Sequence, residues 1–413
     1  MMSDMLKQYG EVIGFHAMDS LLAIAERLRG KKIVHVNSTR EGGGVAEILS
    51  SMIPLSRELG LDVSWEVIEG DEPFFSCTKM LHNSLQGMAG GLSDGQIASY
   101  TETNHRNAER LKVCLEEADY VFIHDPQPAA LLGMMPGRMG KWIWRCHIDV
   151  SAPNRSVWRF MKKQVEGYDA SIFSLPDFAQ PLPHPQFLIT PSIDPLSEKN
   201  IPLSKAEMEK TYRELGVPRD KPVILQVSRF DRFKDPLGVI ESYRIAREYV
   251  DIRLVLAGGG AADDPESGEV LSAVQEAAAG DPDISVLVLP PDAHRSINAL
   301  QSGADVVVQK STREGFGLTV SEGMWKRKPV IGGDVGGIRL QVINRFNGFR
   351  VRSPEGAAIR IRYLLTHRWK RERMGVNARQ YVLENFLITG QLRNYLSLLV
   401  TLDGGEGEWE RWI

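Results

Sequence analysis

Short apolar runs rich in β-branched residues recur along this chain, separated by longer amphipathic stretches. In the first half the runs are Lys31–Ser38, Asp62–Glu69, Tyr120–Asp125, Lys141–Asp149 and Ala170–Leu175. In the second half they are Pro222–Ser228, Ile252–Gly259, Ile284–Pro290, Asp305–Ser311 and Pro329–Asp334. Runs apolar on both alternating faces read as strands buried on both sides, and the intervening amphipathic segments read as helices. Strictly alternating strands and helices predict an α/β fold with doubly wound parallel sheets.

The alternation breaks once. From Thr190 to Pro218 the chain is rich in proline and polar residues and then holds one helical segment, which reads as a linker between two α/β domains. Beyond Lys370 only helices are expected, with Asn394–Leu402 as an apolar face that must dock, and the tail Gly404–Ile413 is read as surface. This sets the domains at 1–190, a linker and connecting helix at 191–218, a second domain at 219–375, and C-terminal helices at 376–413 packing back toward the first domain.

Composition narrows the classes. With 413 residues, 43% apolar and 25% charged, each half is long enough to build a core. The net charge of −4 offers no basic surface for nucleic acid. The cluster Lys326-Arg327-Lys328 reads as a solvated helix end. No apolar run approaches the roughly 18 residues of a membrane span, and the N-terminus lacks the features of a signal peptide. Three scattered cysteines, Cys77, Cys114 and Cys146, fit neither a disulfide framework nor a zinc site, and point to a reduced, cytoplasmic setting. A homodimer is compatible with the sequence.

In open parallel sheets, ligands bind beyond the carboxyl ends of the strands, so the loops there are the candidates for chemistry. Thr312–Lys328 follows one such run. Thr319 to Glu322 matches a capping box, which starts a helix near Val320. Gly315 and Gly317 precede it, and a helix N-terminus is an anion site. Glu322 then either caps the helix or meets a ligand, whereas a cap leaves Glu314 on the same loop unexplained. Arg229 and Lys234 follow another run, as a phosphate clamp or as exposed cations in a polar turn. Gly42, Gly43 and Gly44 precede a helix but lack the third glycine of a dinucleotide fingerprint, and so does the run Leu256–Asp264, which argues against a nicotinamide dehydrogenase. His147 and Asp149 can bind a polar ligand or simply pack. Asp125 and Gln127 sit in a proline-bounded turn. No set of side chains has metal-ligand spacing.

Taken together, Glu314 and Glu322 within EGFGLTVSE, SRFDRFK upstream and DVGGI (334–338) downstream resemble the retaining nucleotide-sugar glycosyltransferases of family four, which have the GT-B fold. GGGVAE, HDPQPAAL, WRCHIDVSAPN and PSIDPLSEKN extend the resemblance across the first half, toward members that join a nucleoside-diphosphate glucose (ADP, UDP or GDP) to free glucose and so form trehalose. The resemblance implies two Rossmann-like domains facing across a cleft, the first on the acceptor side and the second holding the nucleotide sugar. It assigns Arg229, Lys234 and Glu314 to catalysis. It assigns Gly43, Gly44, His147, Gly315, Phe316, Gly317, Leu318, Thr319 and Glu322 to the donor, with Glu322 on the ribose. Asp125, Gln127, Asp149 and Asn154 are the acceptor candidates. No metal and no cofactor are expected, and the partners are the donor, glucose and trehalose, with neither nucleic acid nor membrane. Phosphorolysis of trehalose, a different acceptor, and a non-catalytic sugar or nucleotide binder are the alternatives. Gly323 and Asp235 depart from the family pattern, which has alanine and glycine there.

Overall fold

The computed structural model describes residues 2–259 and 265–404. The end of the glycine-rich run, 260–264, and nearly all of the tail lie outside the described residues. The chain forms two compact units: one comprises the residues up to Asp194 together with those from Ile388 onward, and the other Pro195–Leu387.

The first unit is built on strands β1 (Lys32–Asn37), β2 (Asp62–Val67), β3 (Tyr120–His124), β4 (Lys141–Arg145), β5 (Ala170–Phe173) and β6 (Gln186–Leu188). They form one parallel sheet in the order β2-β1-β3-β4-β5-β6. The order reverses between β1 and β3, which makes that junction the switch point where ligands of open sheets bind. The second unit contains β7 (Val223–Val227), β8 (Arg253–Gly258), β9 (Ile284–Val288), β10 (Val306–Gln309), β11 (Val330–Gly333) and β12 (Gly348–Val351). Their order is β12-β11-β10-β7-β8-β9, again all parallel, with the switch point between β7 and β10.

The alternation of side chains along a strand accounts for the two cores of the second unit. On β7, Val223, Leu225 and Val227 enter one cluster with Tyr212, Leu300 and Ala304, while Ile224 enters the opposite cluster with Val239, Ile240, Val306 and Ile361. Both faces of the strand are covered, as a run apolar at every position requires.

All ten apolar runs contain strands. The two additional strands, β6 and β12, are sheet edges of three and four residues. Prolines flank the first and Arg350 interrupts the second, the short polar character that edges adopt. The proline-rich segment read as a linker lies within the second unit from Pro195. Its helix Lys205–Glu214 is fixed by Tyr212, whose hydroxyl donates to the Leu300 carbonyl at 2.8 Å.

The helix Arg368–Asn385 belongs to the second unit, and Ile388–Asp403 to the first, where Tyr395, Leu396, Leu398 and Leu399 are buried. Each such side chain stabilises the docked helix by roughly 1.5–3 kcal/mol. Of the basic cluster at the end of the helix Leu318–Trp325, Arg327 is exposed, while Lys326 and Lys328 are only partly so. Lys326 donates to the Glu322 carbonyl and to Asn200 Oδ1, and burial pulls the Lys328 ammonium down to about 8. No helix among the described residues is long and apolar enough to cross a membrane. The three cysteines are free thiols, two of them buried.

Candidate functional site

In the second unit the loops that leave β7 and β10 meet at the switch point. The β7 loop makes a short turn over Arg232–Lys234, capped by Asp231, whose Oδ1 accepts from the Phe233 amide at 2.7 Å. Gln226 of β7 donates to the Lys234 carbonyl at 2.8 Å, and the Thr312 amide donates to the Phe233 carbonyl at 2.8 Å, which ties the two loops together. This frame directs Lys234 Nζ to Glu314 Oε2 at 2.6 Å, and the Ser311 hydroxyl donates to the same oxygen at 3.0 Å. Arg229 is exposed and contacts Asp231 at 3.3 Å.

Asp235, where the family pattern has glycine, adopts the left-handed conformation, with φ 51°. Its carboxylate caps the helix Pro236–Arg247 through the Gly238 amide and accepts from Lys310 Nζ. An aspartate tolerates that backbone and here caps a helix and pairs a nearly buried lysine, which a glycine could not do.

The β10 loop then turns sharply. Gly317 has φ 87° and serves as N-cap of the helix Leu318–Trp325. No side chain caps that helix, so the expected capping box does not form. The helix starts two residues earlier, and Thr319 leans instead toward Gln309 Oε1 at 3.4 Å. First-turn amides free of a side-chain cap leave partial positive charge for an anion. Glu322 lies within the helix and is buried. Its Oε2 accepts from Gln301 at 2.8 Å, Lys199 Nζ is 3.8 Å from Oε1, and Oε1 has no hydrogen bond among the described residues. The backbone around Gly315 and Phe316 is held from below: Gln341 Nε2 donates to the Phe316 carbonyl at 2.6 Å and the Gly337 amide to the Glu314 carbonyl at 3.2 Å. A Cβ on Gly337 would stand 2.4 Å from Phe316 Cα, so only glycine permits this approach. The Phe316 ring packs edge-on to Phe386 in the core, so this residue offers backbone rather than side chain.

In the first unit, Gly42 and Gly43 take positive φ, and Gly43 is the N-cap of the helix Gly44–Glu58, again without a side-chain cap. Asp125 follows β3 with φ 65° and accepts from the His147 amide at 2.7 Å. Burial raises its carboxyl to about 6, against that hydrogen bond and the opposing pull of Arg145. The Gln127 carbonyl accepts from Asn104, while its side-chain Oε1 is buried without a partner among the described residues. Asp149 Oδ1 accepts from the Ser151 amide and hydroxyl. Asn154 caps the helix Arg155–Val165 with Oδ1 and donates from Nδ2 to the Gly90 carbonyl, so both ends of its amide are engaged within the fold.

Sequence reasoning missed the group behind His147. His35 Nδ1 is 3.0 Å from His124 Nε2, and His124 Nδ1 is 2.9 Å from His147 Nε2. His35 stacks on Phe122, and Tyr395 of the C-terminal helix stacks beyond. Arg145 is fully buried beside them and donates to Ser174 at 3.2 Å. Burial holds all three imidazoles neutral, His35 down to about 3, and Arg145 adds to the effect on the other two. Each histidine lies in or just beyond the end of an apolar run, but only the strand order β1-β3-β4 brings them side by side. Among the described residues, no three His, Cys, Asp or Glu side chains are grouped to hold a metal ion.

Two family profiles match this chain: "Trehalose synthase, N-terminal domain" over residues 35–180 and "Glycosyl transferases group 1" over residues 207–381. A solved α,α-trehalose-phosphate synthase (UDP-forming) from Burkholderia xenovorans shares the architecture with a TM-score of 0.72, at 13% identity, over 90% of this chain and 100% of its own. The fold is therefore GT-B, and the chain is a glycosyltransferase. A trehalose synthase of Thermococcus litoralis is 45% identical over 95% of this chain and 96% of its own. The chain belongs to the trehalose synthase family. A trehalose phosphorylase of Pleurotus pulmonarius is 27% identical over 98% of this chain, which spans 62% of that longer protein.

Proposed function

We propose that this glycosyltransferase moves glucose from a nucleoside-diphosphate glucose to free glucose, with retention at C1, giving trehalose and the nucleoside diphosphate. The observation that carries the reading is the arrangement at the β7/β10 switch point. Arg229 and the Lys234–Glu314 pair stand on the loops that leave β7 and β10, and the uncapped N-terminus of Leu318–Trp325 follows the second of them, an arrangement that suits an anionic leaving group.

Breaking the bond between C1 and the phosphate oxygen puts positive charge on the sugar and negative charge on the diphosphate. Arg229, Lys234 and the amides of Leu318 and Thr319 stabilise that anion, held in place before reaction. The acceptor hydroxyl forms its new bond to C1 on the same face, and its proton passes to the departing phosphate oxygen. Glu314 Oε2 is held by Lys234 and Ser311, which leaves Oε1 to orient hydroxyls of the transferred glucose. Glu322 Oε1, buried without a hydrogen bond among the described residues, suits a ribose hydroxyl. His147 contacts the glucose. Arg40 donates to the Trp65 carbonyl and lies 4.8 Å from the centroid of that ring, an arrangement that favours an unphosphorylated acceptor. The protein supplies the positive charge itself, so turnover is expected to persist in a chelator.

Phosphorolysis is the second reading, on the strength of the Pleurotus relative. Incubation with glucose and a nucleoside-diphosphate glucose labelled at C1 separates the two. Labelled trehalose and free nucleoside diphosphate are expected. Release of glucose 1-phosphate from trehalose only with inorganic phosphate, and no transfer from the nucleotide sugar, would overturn the proposal in favour of the second reading.

A further inference from the structure

We propose that His35 and His124 are positioning residues that lock the tautomer of His147 from inside the fold and so fix the role its Nδ1 plays toward a sugar hydroxyl. The sugar contact rests on the function proposed above; the lock itself does not.

A neutral imidazole carries one donor nitrogen and one acceptor nitrogen. The two contacts run head to tail, Nδ1 of one ring to Nε2 of the next, at 3.0 and 2.9 Å. Each needs one donor and one acceptor. If His124 holds its proton on Nε2, it donates to His35 Nδ1, so His35 carries its own proton on Nε2. His124 Nδ1 is then an acceptor, and His147 must donate from Nε2. The reverse choice puts all three protons on Nδ1. The three rings therefore share one tautomer: His147 Nδ1 is an acceptor in the first state and a donor in the second.

A charged ring would break this rule, and the surroundings oppose one. The buried guanidinium of Arg145 acts against a second charge on His124 and His147, and His35 is buried and stacked on Phe122, with the Tyr395 ring also nearby. Asp125 is engaged with the His147 backbone amide rather than a ring nitrogen. Protons are thus not passed inward to leave an imidazolium at His35; the group works by fixing orientation and tautomer. Among the described residues, His147 Nδ1 makes no hydrogen bond, so it is the atom left for a ligand. The partner of a ring nitrogen commonly decides which tautomer is present.

The test reads the rings directly. In the full-length protein labelled with ¹⁵N-histidine and without ligand, long-range ¹H–¹⁵N spectra are expected to show one shared tautomer for His35, His124 and His147. His35→Phe keeps a ring to stack on Phe122 but removes the inner hydrogen bond. It is expected to turn the His147 pattern into a tautomer mixture, two contacts away, and to lower kcat/KM for transfer about fivefold, the scale of one misdirected hydrogen bond. His124→Gln, which breaks both ring contacts, serves as the second variant should the first not fold. Unlike tautomers in the wild type, or a His147 pattern unchanged in the variant, would overturn the lock. Linked tautomers in a protein without transferase activity would sustain the lock and sink the transferase reading instead.

Discussion

Replacing Lys234 by methionine and Glu314 by glutamine, singly and together, tests whether the switch-point loops of the second unit are organised by electrostatics. The side chains are 18% and 8% exposed and 2.6 Å apart. The pair therefore stands between an exposed bridge, worth about 0.5 kcal/mol, and a buried one, whose rupture costs about 3–5 kcal/mol. Lys234→Met keeps the apolar stem but, among the described residues, leaves the Glu314 carboxylate the Ser311 hydroxyl alone, a loss of about 2–3 kcal/mol. Glu314→Gln keeps an acceptor for Ser311 and Lys234, and Lys234 retains a path to water, so it costs about 1 kcal/mol. In the double variant no charge is stranded and the loss falls to about 1.5 kcal/mol, so the coupling energy comes to about 2 kcal/mol. Hydrogen exchange at the amides of β7 and β10, read by mass spectrometry, reports the stability of the second unit without requiring both units to unfold together. Additive effects, with coupling below about 0.5 kcal/mol, would refute the reasoning, because the pair would then behave as a surface contact.

Three other perturbations follow from single features. Asp125 has its folded pKa raised to about 6 by burial, above the 3.8 of the unfolded chain, so its stabilising effect is complete at low pH and is lost as pH rises through 6. Asp125→Asn should therefore gain about 2.4 kcal/mol relative to wild type between pH 4 and pH 7 in urea titrations, with contributions from the histidines cancelling in the difference; a difference that does not change with pH would contradict it. Lys328 has the opposite sign: burial lowers its pKa to about 8, so its penalty is present below that pH and disappears toward 10.5. Lys328→Met should stabilise by about 1–3 kcal/mol near neutrality and by progressively less at higher pH, read from unfolding curves. Gly337→Ala drives a Cβ into the Phe316 backbone and should cost about 2–3 kcal/mol and most of the activity; wild-type thermal stability would show that the close approach is not required.

What a strand declares locally was legible in the sequence. Every long apolar run became a strand, because a segment buried on both faces has no polar position to hide it. The edges were not visible: Gln186–Leu188 lies among prolines and Gly348–Val351 carries an arginine. The strand-end rule pointed to Arg229, Lys234 and Glu314, but not to the way Lys234 and Glu314 bind each other. The apparent capping box at Thr319 failed because Gly317, with its positive φ, begins the helix two residues sooner. His35 and His124 read as ordinary strand residues, since nothing in a linear sequence says that β1, β3 and β4 are neighbours.

Positive charge at the β7/β10 switch point is what this account asks to bind the donor. Calorimetric titration of a nucleoside-diphosphate glucose, with chelator present, into wild type, Arg229→Ala and Lys234→Ala tests that most directly. Saturable binding to wild type is expected, with a Kd weakened at least about tenfold in each variant, since each removes a charge-assisted contact of about 1.5–3 kcal/mol. Equal affinity in all three proteins would contradict it.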